Sequence, residues 1–332
     1  MRQVLLTLAV LAGLGLAGAA AVVGFGLYNV SAQVGHLPGV SWVLHTTFRN
    51  SVRLRAPSME TAPDLADPEL IALGAGHVAT ACAPCHATPD TRRNATMRAM
   101  SPAPPRLREA IGDWAPNELH WIVENGVKMS GMPAWPAKGR ADEVWSVVAY
   151  LVAIRSGTAP PAPRMPPETD PQAYCASCHT RIGGRVPRLD ILSPAYIEAQ
   201  LQAYLIGTRH GGIMAQAASL VPRDRLAPLA RAFAARPDRA PMPVPDPALA
   251  ARGAALARTG TRDIPACLAC HDGPAPARGP VLDGQRQPYL EIQLRLWRDG
   301  ILDHDPLMQA ASRALDEDGI RALAAYFASR RP

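Results

Sequence analysis

The sequence predicts an all-α protein in which an N-terminal transmembrane helix is followed by three small helical domains. Two observations carry this prediction. Residues 4–30 contain no charged side chain, and a membrane-spanning helix needs about 20 apolar residues. The six cysteines form three evenly spaced pairs, because Cys175 comes 93 residues after Cys82 and Cys267 comes 92 residues after Cys175. A fixed period along a chain indicates repeated domains.

The N-terminal run, residues 1–30, is expected to be an uncleaved anchor. A secretory signal has a shorter apolar core of about 7–15 residues, but Ala17-Gly18-Ala19 offers a small-residue cleavage pattern, so a cleaved signal stays open. Residues 31–66 are expected to form a juxtamembrane segment. Its Trp42, Phe48 and Arg49 fit an interfacial helix at the lipid headgroups, and a plain spacer fits equally well.

Each repeat contains a helix that begins at proline and ends at glycine. Proline suits the first helical position and glycine suits the position after the last. The three helices are Pro116 to Gly126, Pro194 to Gly207 and Pro288 to Gly300. Apolar closing helices follow, and proline-rich stretches of stiff, extended composition divide the chain. The expected domains are 67–157, 172–236 and 248–332, joined by linkers 158–171 and 237–247.

Every cysteine pair has the form C-x-x-C-H. The cysteines are Cys82, Cys85, Cys175, Cys178, Cys267 and Cys270, and the histidines are His86, His179 and His271. In this motif two thiols add across the vinyl groups of a haem and the histidine becomes an axial iron ligand. A structural zinc ion needs four ligands, and a thioredoxin-like dithiol needs a βαβ setting. Three motifs at one period that use every cysteine therefore predict three covalent haems.

A methionine follows the helix-ending glycine of each repeat by 6 to 8 residues, and these are Met132, Met214 and Met308. A thioether opposite the histidine would close the iron shell and raise the reduction potential. Met129 competes with Met132 for this role. His210 and His304 each precede the methionine by four residues, so bis-histidine ligation at a lower potential stays open there.

The other ring nitrogen of each histidine also needs a partner. Pro187 and Pro280 lie 8 and 9 residues after their histidines. A carbonyl at such a position could accept the ring N–H and fix the orientation of the imidazole. In the first repeat, Pro104 and Pro105 are both candidates.

With these motifs, each repeat resembles the small all-helical class I cytochromes c, from about Leu70 to the C-terminus. The first repeat, with residues 127–135 reading VKMSGMPAW, looks like monohaem domains joined to oxidases or dehydrogenases. The second and third together look like two-domain dihaem periplasmic cytochromes. The layout is similar to the three-haem cytochrome subunits of membrane-bound alcohol, gluconate and aldehyde dehydrogenases, although it is shorter and has an N-terminal helix. The resemblance implies electron transfer.

The formal charge of +6 suggests a nucleic-acid-binding protein. The basic residues are spread along the chain, however, and form no block. No nucleic-acid partner is expected. We expect periplasmic electron transfer on a single-pass bacterial inner-membrane anchor, because haem is attached outside the cytoplasm. The expected partner is a membrane-associated dehydrogenase or a terminal oxidase. The alternative is a catalytic multihaem enzyme, such as a peroxidase or a thiosulfate-oxidising enzyme, which would need an open iron position.

Overall fold

The computed structural model describes the chain apart from residues 89–90, 129, 162–168, 239, 241, 274–278 and 332. All regular structure in the described part is helical, as the sequence predicts. Met129 and parts of both expected linkers lie outside the described residues.

The N-terminal helix α1 covers Arg2–Gly24. None of its residues is buried, and within the described residues it is the one helix long and apolar enough to cross a membrane. The helix ends six residues before the end of the charge-free run, because the chain turns at Phe25 and Gly26.

The juxtamembrane segment contains a second helix, α2, at Val40–Arg55. The segment is therefore not a plain spacer, and this helix contacts the unit that follows it. Phe48 meets the Trp114 ring edge to face at 5.4 Å between centroids, and Arg49 lies over the same ring. Val52 is fully buried. One face of α2 therefore packs on the first haem-motif unit, while Trp42 on another face is exposed.

The first unit has six α-helices, three of which are ten residues or longer. They are α3 Pro68–His77, α4 Ala83–His86, α5 Ala95–Arg98, α6 Leu107–Ala110, α7 Pro116–Asn125 and α8 Ala141–Ser156. The closing helix α8 is buried over most of its length. Val144, Val148 and Leu151 of α8 lie in the core of this unit.

The second and third units repeat this plan with fewer helices. Their helices are α9 Pro171–His179, α10 Pro194–Ile206, α11 Gly212–Ser219, α12 Leu226–Ala234, α13 Pro247–Thr259, α14 Leu268–His271, α15 Gln287–Arg298, α16 Pro306–Ser312 and α17 Glu317–Ser329. The closing helices α12 and α17 bury apolar side chains, including Phe233 and Phe327.

The proline-to-glycine helices agree with the prediction closely. The helices α7 and α10 begin at the predicted prolines, and Gly126 and Gly207 follow their last residues with positive φ. The Ser193 side chain accepts the Tyr196 N–H at 3.2 Å and caps α10. The third helix begins one residue before Pro288 and ends at Arg298, since Asp299 takes the C-cap position.

Candidate functional site

The first C-x-x-C-H motif begins at the last residue of a single π-helical turn, Val78–Cys82. The Nδ1–H of His86 donates to the carbonyl oxygen of Pro105 at 2.8 Å, which selects Pro105 over Pro104 as the partner. Ala87, the next residue after His86, has a positive φ of 57°. Burial raises the pKa of the Cys82 thiol to about 12, so the free thiol is neutral at pH 7.

The second motif lies entirely on α9. His179 is buried, and its Nδ1–H donates to the carbonyl oxygen of Pro187 at 3.1 Å. Burial lowers the pKa of His179, which keeps the imidazole neutral and able to act as a metal ligand. Burial also raises the pKa of the Cys175 thiol to about 12.

The third motif ends α14. The Nδ1–H of His271 donates to the carbonyl oxygen of Pro280 at 2.9 Å, so both proline predictions made for the second and third repeats are confirmed. Gly279 has a φ of +75°, and a Cβ there would lie 2.5 Å from Cε1 of His271. The backbone can approach the imidazole this closely because residue 279 has no side chain.

The three motifs share one geometry that fits a haem. In each, the Nδ1 bond to a proline carbonyl holds the ring and leaves Nε2 for iron. The six cysteines are free thiols. Among the described residues, no three His, Cys, Asp or Glu side chains converge on one point as the ligands of a metal ion would.

A cleft opens at the second motif. It is lined by Cys175, Cys178, His179 and Met214. Met214 and Cys175 also belong to one apolar cluster. The structure therefore brings the predicted thiols, histidine and thioether of this repeat to one cavity. Residues of the first and third units complete the wall of the cleft, among them His77 of α3 and Gln293 of α15.

The other two methionines differ in local structure, because Met132 lies in a turn, whereas Met308, like Met214, lies near the start of a helix. Met132 is in a tight turn, where its carbonyl accepts the Val127 N–H at 3.1 Å and its N–H donates to the Ser130 hydroxyl at 3.1 Å. Met308 is the third residue of α16, as Met214 is of α11. It is half-buried against the apolar cluster at the end of α15.

The competing histidines make other contacts. The exposed His304 stacks its ring on Trp297 at 4.7 Å between centroids. The backbone carbonyl of His210 accepts from Nη1 of Arg140 at 2.8 Å, which ties this segment to the first unit.

Several buried polar residues near the cleft at the second motif were not predicted from the sequence. Glu143 and Arg140, at the start of α8, contact residues about 70 positions further along the chain. Arg209 is buried between Gln200 of α10 and two residues of α15, which accept its hydrogen bonds. Nothing local in the sequence marks these residues, because their partners come from other units.

Paired thiols, an oriented histidine and a thioether in a small helical unit define a class I c-type cytochrome. A family model described as "Cytochrome C oxidase, cbb3-type, subunit III" matches residues 69–151. This range covers the first unit, from the start of α3 to the middle of α8.

Three curated relatives match about half of the chain. A thiosulfate dehydrogenase electron acceptor from Stutzerimonas stutzeri is 35% identical over 175 residues, which are 47% of this chain and 78% of the relative. Another from Thiomonas intermedia is 32% identical, over 50% of this chain and 81% of the relative. Cytochrome c4 from Azotobacter vinelandii is 27% identical, over 46% and 83%.

The chain belongs to the c-type cytochromes. It carries covalently bound haem c and is an electron-transfer protein rather than a catalytic enzyme. The alternative of a catalytic multihaem enzyme is therefore set aside. Two of the relatives are named as electron acceptors of a thiosulfate dehydrogenase, so they accept electrons from such an enzyme.

Proposed function

We propose that the chain binds three haem c groups and passes electrons among them on the periplasmic side of a bacterial inner membrane. The cysteine pairs 82/85, 175/178 and 267/270 attach the haems. The imidazoles of His86, His179 and His271 and the thioethers of Met132, Met214 and Met308 would be the protein's ligands to the three haem irons. The observation that carries this proposal is the repeated bond from histidine Nδ1 to a proline carbonyl, at 2.8, 3.1 and 2.9 Å.

The ligand residues set what such a site can do. When bound, haem supplies a one-electron couple between ferric and ferrous iron. The proline carbonyls hold the imidazoles in one orientation and raise their basicity. The methionine thioethers favour the ferrous state and raise the potential, and they close the iron to exogenous ligands. Closed coordination suits a carrier, which exchanges electrons without binding a substrate at iron.

The proposed electron donor is a dehydrogenase. The relatives that support it are named as electron acceptors of thiosulfate dehydrogenase, so a thiosulfate-oxidising enzyme is the first partner to test. A terminal oxidase of the respiratory chain is the proposed acceptor, since the first unit matches the description of an oxidase cytochrome subunit. Cross-linking in native membranes followed by mass spectrometry should recover one or both, and recovery of neither would overturn these assignments.

The apolar helix α1 is the proposed membrane anchor, with residues 31–66 as the connection to the haem units. Deleting residues 1–28 and supplying a cleavable signal should release a haem-loaded protein into the periplasmic fraction. If the full-length protein is already released by a high-salt wash, α1 does not anchor it.

The number of haems is tested directly by mass spectrometry and a pyridine haemochrome assay on purified protein. Three haems per chain are expected. Matched variants with both cysteines of one motif replaced by alanine should each lose one haem. A count of two or fewer in the wild-type protein, made in a host competent for haem attachment, would contradict the three-site proposal.

Methionine ligation is tested by single replacements. A ferric haem with a thioether ligand gives a weak near-infrared charge-transfer band that histidine ligation does not give. Met214→His should keep the haem attached and lower the potential of that site, because a stronger donor stabilises ferric iron. Met214→Ala should open the iron to carbon monoxide. If Met214→Ala or Met308→Ala leaves the band and the potential unchanged, His210 or His304 is the ligand at that site.

A further inference from the structure

The helix that carries Met214 receives its N-terminal cap from a different unit of the protein. The helix α11 begins at Gly212, and the residue before it, Gly211, has no side chain with which to cap it. Instead, Oε2 of Glu143 accepts the N–H of Gly212 at 2.6 Å and that of Ile213 at 3.3 Å. Glu143 belongs to α8 of the first unit. A carboxylate in this position satisfies N–H groups that a helix cannot satisfy itself.

The equivalent helix of the third unit is capped differently. The Oδ1 of Asp305, the residue just before α16, accepts the N–H of Leu307 at 3.0 Å and that of Met308 at 3.1 Å. The third unit thus supplies its own cap for its methionine helix. The second unit lacks one and takes it from the first.

Glu143 is held in place from several sides. Its Oε2 also accepts the indole N–H of Trp135 at 3.1 Å, and its Oε1 pairs with Nη2 of Arg140 at 2.8 Å. The side chains of Glu143 and Arg140 are only 9% and 8% exposed. Arg140 in turn donates to the carbonyl of His210, just before α11. A buried carboxylate with this many donors has one orientation.

The same group joins the methionine segments of two units. Trp135 ends the turn that contains Met132, and its indole lies directly against Gly212. Glu143 therefore contacts, within one side chain, the residue three positions after Met132 and residues one and two positions before Met214.

We propose that Glu143 is a positioning residue for Met214, so that the first unit sets the ligation and the potential of the second haem. The proposal rests on the proposed function, in which Met214 is an iron ligand. Without the carboxylate, the first turn of α11 loses acceptors for two N–H groups and frays. Met214 lies in that turn, so its thioether binds iron for a smaller fraction of the time.

The experiment uses the full-length, haem-loaded protein with four single variants. Glu143→Ala removes the cap, whereas Glu143→Gln keeps an acceptor oxygen and gives up the ion pair with Arg140. Asp142→Ala is the matched control, because Asp142 also pairs with Arg140, whereas the described side-chain acceptor at the start of α11 is Glu143. Asp305→Ala removes the corresponding cap of the third unit.

The readouts are haem content, the near-infrared band, carbon monoxide binding to ferrous protein and the three potentials. The shift produced by Met214→His identifies which potential belongs to the second haem. Glu143→Ala should keep all haems, weaken the band, bind carbon monoxide at one haem and lower the potential of the second haem. Glu143→Gln and Asp142→Ala should retain the wild-type ligation, and Asp305→Ala should affect the third haem instead.

A double variant separates positioning from a general loss of stability. If Glu143 acts through Met214, the effect of Glu143→Ala on the second potential should largely disappear in a Met214→His background. The proposal is overturned if Glu143→Ala shifts the second potential equally in the wild-type and Met214→His backgrounds. It is also overturned if the Glu143→Ala and Asp142→Ala proteins give the same readouts. Either result leaves Met214 as a ligand. If Met214→Ala itself leaves every haem closed to carbon monoxide, the ligand assignment fails and this inference fails with it.

Discussion

At the scale of single residues, His77 is the clearest buried titratable group outside the haem motifs. It ends α3, is 6% exposed and stacks on Trp135 at 4.6 Å between ring centroids. Burial lowers its pKa to about 4, because the charged imidazolium would lose its hydration. The unfolded chain therefore binds a proton at this residue more readily than the folded chain does.

This difference predicts a loss of stability in acid. Between pH 6.5 and about 4 the unfolded state holds more protons at His77, so the free energy of unfolding falls as the pH falls through that window. At about 1.4 kcal/mol per pH unit, the loss reaches roughly 3 kcal/mol at the acid end. In His77→Phe this contribution should be absent. Urea unfolding at pH 7 and pH 5 measures this pH dependence of the free energy of unfolding, and His45→Phe, at an exposed histidine, is the control. Equal pH dependence in wild type and His77→Phe would contradict the prediction.

Gly279 gives a second prediction at this scale. Gly279→Ala combines a left-handed backbone with a Cβ placed 2.5 Å from the His271 ring. Gly273→Ala is a matched control, since Gly273 also has a φ of +75° but a Cβ there would lie within 4 Å of no atom of the described residues. Backbone strain alone costs about 1–3 kcal/mol. Gly279→Ala should therefore lower the thermal midpoint more than Gly273→Ala does, and it should also shift the potential of the haem proposed at the third motif. The same midpoint in both variants would mean that the ring contact has no energetic effect.

At the scale of elements, the docking of α2 distinguishes this chain from a set of haem units on a flexible tether. Besides the Phe48 and Arg49 contacts with Trp114, Arg53 pairs with Glu118 of α7 at 3.7 Å. The Asn117 side chain donates to the carbonyl of Pro57 at 2.9 Å. The segment that contains α2 is thus attached to the first unit.

Removing the aromatic contact should release α2. Aromatic pairs contribute about 0.5–1.5 kcal/mol beyond area burial, so Trp114→Ala should raise the open population of α2 by up to about ten-fold. Limited trypsin digestion after Arg49 and Arg53, followed by mass spectrometry, measures this opening. Trp42→Ala is the control, because Trp42 is exposed on the same helix. Digestion at the wild-type rate in Trp114→Ala would show that the contact does not hold the helix.

At the scale of the whole molecule, buried ion pairs and hydrogen bonds join the three units. Between the second and third units, Arg286 donates to the carbonyl of Ile182 at 2.7 Å and pairs with Asp238. The Arg188 N–H donates to Oε1 of Gln285 at 2.8 Å, and Nε2 of Gln285 donates back to the Arg188 carbonyl at 3.1 Å. Polar contacts of this kind need correct docking, because each donor must meet its acceptor at short range.

Breaking the Arg286–Asp238 ion pair should make the third unit unfold in a transition separate from that of the other units. The side chains of Arg286 and Asp238 are 1% and 4% exposed, and removing one partner of a buried pair costs about 3–5 kcal/mol. Arg286→Ala should lower the thermal midpoint and split the calorimetric transition in two. The control Arg321→Ala, whose pair with Asp318 lies in solvent, should unfold like wild type. A single unshifted transition in Arg286→Ala would rule out this coupling.

The sequence by itself determined the features that depend on neighbouring residues. The C-x-x-C-H motifs predict covalent haem, because attachment needs two thiols and an imidazole within five residues. The proline and glycine boundaries predicted α7 and α10, because helix ends are stabilised by the residues at the ends. The spacing from histidine to Pro187 and Pro280 predicted both ring partners, since each lies in the loop directly after its motif.

Only the tertiary structure decided the contacts between distant parts of the chain. It selected Pro105 over Pro104, packed α2 on Trp114, and placed Glu143 at the start of α11. The physical reason is that a buried carboxylate or guanidinium is stabilised by whichever donors and acceptors docking brings to it. Partners 70 or 100 positions away leave no periodic pattern in the sequence, so Glu143 and Arg286 look like ordinary charged residues until the units are assembled.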